Sequence, residues 1–180
     1  MHRLSFWLLL LVGGVASGPA SPLPLNDTTP DRVELRPYLM SLRDPDAALD
    51  AAGAVAQRER FESLGAGSGL NFGYEPGARW LWLELESRAD GVSDWTVELD
   101  YPPLDLAELY DARAPTAEPL QRGGDHLPFA ARSVPHRSPA FALRLAPGEH
   151  RTLLIRVRSE GSLTLNPRLW RSDAFRQHSE

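Results

Sequence analysis

The sequence predicts an all-β domain, an antiparallel β-sandwich carrying one short helix. Three observations lead there. From Ala78 onward apolar residues recur with a period of two, the pattern of strands that bury one face. The candidate strands are short, and turns rich in Pro and Gly separate them, such as Pro102-Pro103 and Ala146-Pro147-Gly148-Glu149. Helical periodicity is confined to Ala47 to Glu59, where Gly53 weakens it. Strands of this kind cannot hide their apolar faces singly, and packing two sheets face to face buries them.

The N-terminus sets the compartment. Arg3 precedes an apolar run from Leu4 to Val12 that gives way to small residues and then to Pro19 and Pro22, so residues 1–20 read as a secretory signal peptide cleaved after Ala16 or Ala20. The run is far short of the roughly 20 apolar residues that span a bilayer. The mature chain is expected in the periplasm. Residues 21–32, with Pro22, Pro24 and Pro30, read as a linker, and order is expected to begin near Val33-Glu34-Leu35. About 160 residues then remain, enough for one domain with a real core. With 0 cysteines there is neither a disulfide framework nor a thiolate metal site, so packing must supply the stability. A net charge of −5 speaks against a nucleic-acid partner, which would need a clustered positive surface.

Asp44-Pro45-Asp46 marks a turn before the helical segment, and Gly65-Ala66-Gly67-Ser68-Gly69 is a flexible loop. Leu81, Leu83 and Leu85 share a face opposite Trp80, Trp82, Glu84 and Glu86. Trp95, Val97, Leu99 and Tyr101 alternate with Thr96, Glu98 and Asp100, and a further strand runs from about Leu104 to Tyr110. Phe141, Leu143 and Leu145 form another apolar face. The turn at Pro147-Gly148 then leads to Leu153, Ile155 and Val157, and this pair is expected to be a hairpin. A last strand is expected from Ser162 to Trp170. Ser172-Asp173 looks like an N-cap, opening a helix over residues 172–180.

Few residues point to chemistry. The Gly-rich loop lacks the flanking strand, Lys and helix of a phosphate loop, and Ser68 lacks the first glycine and the strand-to-helix turn of a serine hydrolase. Glu84, Glu86, Glu98 and Asp100 lie on outward strand positions, where solvated surface explains them better than a glycosidase pair does. His126 and His136 lack the spacing of zinc ligands. Calcium is an alternative that the residue types allow, with Asp44, Asp46 and Asp125 as oxygen donors. Trp95 shares the Val97 and Leu99 face and is expected in the core. Trp80 and Trp82, opposite the leucines, offer an exposed or rim ring for stacking on a sugar. Arg132, His136 and Arg137 cluster in one Pro-punctuated connection and offer planar donors to a carboxylate or to sugar hydroxyls.

Four blocks carry a further signal: Leu70-Asn71-Phe72-Gly73-Tyr74, then Ala78 to Glu86, then Trp95 to Tyr101 running on to Tyr110, then Leu127-Pro128-Phe129 through His136 to Phe141. In this order and spacing residues 33–171 resemble the second type of extracellular domain of bacterial seven-transmembrane receptors with diverse intracellular signalling modules. The resemblance implies a jelly-roll sandwich like that of carbohydrate-binding modules, no enzymatic activity in the domain itself, and a periplasmic sensing role. It also implies a continuation into seven membrane helices, with residues 172–180 as the start of a juxtamembrane helix, and a cytoplasmic output module such as a diguanylate cyclase or histidine kinase. The expected ligand is a soluble carbohydrate or envelope glycan fragment. Asn71, Tyr74, Trp80, Trp82, Arg132, His136 and Arg137 are the candidate contacts, with Asn71 and Tyr74 meeting Arg132 and His136 on one rim. The alternative from another class is an interaction module that forms a homodimer or docks a partner receptor and binds no small molecule.

Overall fold

The computed structural model describes residues 21–179, so the signal-peptide expectation lies outside the described residues. In chain order the strands are β1 (Leu23–Leu25), β2 (Arg32–Glu34), β3 (Leu39–Asp44), β4 (Glu62–Ser63), β5 (Leu70–Tyr74), β6 (Ala78–Ser87), β7 (Ser93–Glu98), β8 (Leu106–Asp111), β9 (Gln121–Gly123), β10 (Ala140–Leu145), β11 (His150–Arg158), β12 (Ser162–Leu165) and β13 (Arg168–Arg171). Helix α1 (Ala51–Ala56) follows β3, and α2 (Ser172–Ser179) follows β13. Among the described residues no helix is long and apolar enough to cross a membrane.

Two antiparallel layers form the sandwich. The larger sheet has the order β4-β3-β6-β11-β8-β9, with β1 running parallel to the end of β6, and the smaller has the order β10-β7-β13-β2. Strands β5 and β12 make a separate pair. Period-two alternation aims Leu81, Leu83 and Leu85 of β6 and Leu153, Ile155 and Val157 of β11 at Trp95 and Val97 of β7 and Phe141 and Leu143 of β10, all in one buried cluster. Each such side chain contributes roughly 1.5–3 kcal/mol by leaving water. This shared interior joins the two sheets.

The other face of β6 is buried as well. Trp80, Trp82, Met40, Leu42, Tyr110 and Leu154 pack under Ala51 and Ala54 of α1 and under Phe61. Alanines let the short helix approach closely, and Asp50 caps it by accepting a 2.7 Å hydrogen bond from the Gly53 amide. Trp80 Nε1 donates to Asp44 Oδ2 at 3.2 Å and Trp82 Nε1 to Glu84 Oε1 at 2.7 Å, so the buried indoles keep polar partners.

Several expectations need correction. The linker is partly ordered, because Leu23 and Leu25 are buried in the main core and β1 pairs with Leu85 to Ser87. The expected hairpin is a crossover: β10 pairs with β7 in the small sheet, whereas β11 lies between β6 and β8 in the large one. A tight turn makes its flanks neighbours in space, and packed layers satisfy that as well as paired strands do. The last strand is two, since Asn166-Pro167 hands the chain from β12 to β13, in the small sheet. Glu98, expected in solvent, is 0% exposed.

Candidate functional site

Two depressions of about 610 Å³ each mark the surface. The first lies at one end of the sandwich, where Tyr74, Pro76 and Gly77 from the β5–β6 turn meet Asp105, His126, Arg158 and Glu160. Two glycines make this meeting sterically feasible. Gly77 has φ +84° and Gly124 φ +128°, and a Cβ on either would lie 2.3 Å from a backbone oxygen, that of Asp44 or Asp105 respectively. Past Gly124, the Asp125 amide donates to Leu104 O at 2.9 Å and the His126 amide to Asp105 O at 3.1 Å, which lays this connection along the start of β8. Asp105 is fixed in turn by a 2.5 Å bond from the Glu160 amide, and its other oxygen is 3.7 Å from His126 Nε2. Tyr74 is 82% exposed at the mouth.

The second depression lies on the outer face of the small sheet, between β7, β10 and α2. Alternation in β7 aims Trp95 and Val97 inward and therefore Thr96 and Glu98 outward. They do not reach solvent. Helix α2 and the connection before β10 cover this face, where Ala140, Trp170 and Phe175 form a small core with Val134 and Ala174. Thr96 and Ser172 hydroxyls are 3.0 Å apart. Trp170 Nε1 donates to Glu98 Oε2 at 2.8 Å, and the His136 ring stands edge-on to Phe175 at 4.9 Å.

The structure separates the residues expected to share one rim. Tyr74 lines the end depression and His136 the one beside α2. Asn71 lies in a smaller hollow with Arg36 and Thr164, its Oδ1 accepting a 2.9 Å bond from the Gly73 amide. Arg132 ties its own connection together, donating from Nη1 to His136 O at 2.8 Å and from Nε to Leu127 O at 3.4 Å. Arg137 is exposed. Trp80 and Trp82 are 0% and 8% exposed and present no platform, because α1 and Phe61 cover the face that alternation assigns them. Of the calcium candidates, Asp44 has both oxygens engaged by Ala48, Leu49 and Trp80, and Asp46 is an exposed turn residue. Asp125 comes together with Asp105 and His126, their ligand atoms within 4.8 Å of one another.

Sequence reading missed Asp105, Arg158 and Glu160 at the end depression and Phe175 and Arg176 at the other. Ser159-Glu160-Gly161 is a turn signal at the end of an apolar strand, and it could have nominated the first group. No local pattern could have placed α2 against β10.

Curated proteins offer no match to this sequence. A model of the 7TMR-DISM extracellular 2 family does match, over residues 36–171, which runs from the turn before β3 to the end of β13 and takes in both sheets except β1 and β2. The chain belongs to that family, the extracellular sensor domains of seven-transmembrane receptors with diverse intracellular signalling modules.

Proposed function

We propose that this domain is a periplasmic input module that binds a soluble carbohydrate or an envelope glycan fragment in the end depression. The observation that carries the reading is Tyr74, 82% exposed at the mouth of a cavity whose other walls carry three carboxylates, an imidazole and a guanidinium. A phenol ring left in water at this position gains nothing from folding, and it offers a flat face to the apolar side of a pyranose. Asp105, His126, Arg158 and Glu160 supply acceptors and donors for hydroxyls, on turns held by a rigid sandwich. None of these groups needs a cofactor to act.

A second reading has its own observation, the grouping of Asp105, Asp125 and His126 at the same end. Here a divalent cation of the calcium type is bound, alone or as a bridge to the glycan. One calorimetric titration series with neutral oligosaccharides and peptidoglycan fragments, run with calcium and again with chelator, separates the readings. Tyr74→Ala and Arg158→Ala should each weaken glycan binding at least tenfold, about 1.4 kcal/mol, with an unchanged folded spectrum. Loss of glycan binding in chelator assigns a bridging ion. Absence of glycan binding in both media, together with concentration-dependent self-association, would replace the proposal with the interaction-module alternative.

A further inference from the structure

We infer that the depression between the small sheet and α2 is a second ligand site, built for a small organic anion with an apolar body. The inference does not depend on the glycan reading, which concerns the other cavity. At about 610 Å³ the depression is large enough for a compact ligand. Val134, Pro135 and Phe175 supply apolar walls.

The polar end of the site is His136, which lines the cavity but is only 8% exposed. Its Nδ1 is 3.2 Å from Ser138 O, 3.3 Å from the Ser138 amide nitrogen and 3.9 Å from Glu98 Oε1. Glu98 itself is fully buried, and while its Oε2 accepts from Trp170 Nε1, Oε1 has no hydrogen-bond partner among the described residues. A buried carboxylate with one oxygen unsatisfied is costly, and the nearest group able to compensate it is the imidazole. The Ser138 backbone and Glu98 thus occupy Nδ1 and leave no room there for a ligand. Nε2 is the ring atom left for the cavity, where it can donate to an anionic oxygen.

The mouth has the same preference. Arg144 of β10 and Arg176 of α2 face one carboxylate, Asp94, which lies 3.9 Å from Arg144. Arg176 makes no ion pair among the described residues, although Asp27 and Asp173 line the adjoining hollow with it. A cationic ligand would meet the two guanidinium groups at the mouth unfavourably. A sugar would find few free hydroxyl partners, since Thr96 and Ser172 already bond to each other. What fits is a carboxylate whose body packs on Phe175. Because Phe175 and Arg176 both belong to α2, such a ligand is held between sheet and helix, and its binding strengthens the docking of α2.

The test is calorimetric titration of the domain with benzoate and hexanoate, against benzyl alcohol and benzylamine as neutral and cationic counterparts of similar shape. The carboxylates should bind at least tenfold more tightly than either counterpart, and amide exchange in α2 should slow when benzoate is present. Arg176→Ala and His136→Gln should each weaken benzoate at least tenfold, whereas Tyr74→Ala, at the other cavity, should leave it unchanged. Should His136→Gln fail to fold, the exposed Arg176 position decides. Equal affinity for benzoate and benzyl alcohol, no benzoate binding at millimolar concentration, or benzoate affinity unaltered by Arg176→Ala would each overturn the assignment. Loss of benzoate binding in Tyr74→Ala would overturn it too, by moving the anion to the end depression.

Discussion

Trp80 and Trp95 lie in different sheets and fill different cores, yet each is almost wholly removed from solvent. Trp95 packs in the main core with its Nε1 donating to Ser93 Oγ at 2.9 Å, and Trp80 packs against Tyr110 at 5.8 Å under α1. Truncating either removes a large ring from a site that cannot collapse around the loss. Trp95→Ala and Trp80→Ala should each cost about 3–5 kcal/mol in urea denaturation followed by circular dichroism. Near-neutral behaviour of Trp80→Ala would show that α1 does not cover this face in solution. Arg132 works differently. Its guanidinium holds backbone carbonyls of its own connection, so Arg132→Ala should lower stability by about 1 kcal/mol, because partly buried acceptors lose charged donors. Its effect on glycan binding should be smaller than that of Tyr74→Ala.

Turns decide how the strands are used. At the β10–β11 crossover Gly148 takes φ +70°, and Glu149 Oε2 accepts from the Ala146 amide at 2.9 Å. That amide bond, helped by Arg151, holds the Glu149 carboxyl below its ordinary value despite some burial. A carboxyl lowered on folding adds stability above its unfolded pKa and loses it as pH falls through the folded one. The crossover should therefore weaken on the acid side of about pH 4.5, the ordinary value for glutamate. A stability profile between pH 3 and pH 6 should be flatter for Glu149→Gln than for the parent chain. Gly124 makes a sterner demand, since any Cβ there would lie 2.3 Å from Asp105 O. Gly124→Ala should cost on the order of 2 kcal/mol or more and should disturb the end depression, with weakened glycan binding as the second readout.

At the scale of the molecule, one cluster draws its side chains from both sheets and from β5 and β12, so neither sheet buries its inner face without the other. Tryptophan fluorescence and far-ultraviolet circular dichroism should therefore report one coincident unfolding transition in urea. Two separated transitions would mean that the α1 layer melts on its own. The family places such domains outside the membrane in receptors, and α2 is the last described element after the sandwich closes. A ligand clamped between β10 and α2 would act on that element directly.

What the sequence by itself determined follows from alternation and turn chemistry. Period two assigned Leu81, Leu83, Leu85, Trp95, Val97, Phe141 and Leu143 to one interior, and the structure buries them all there. It also marked the α2 start at Ser172. Alternation names a face, however, and says nothing about what lies against it. That Trp80, Trp82 and Glu98 are buried was decided by α1 and α2 settling on the outer faces of the two sheets, contacts between segments far apart in the chain. Strand partners were equally out of reach. Whether β10 pairs with β11 or crosses to the other sheet depends on which distant edges are free, and that competition is settled only when the whole sandwich closes.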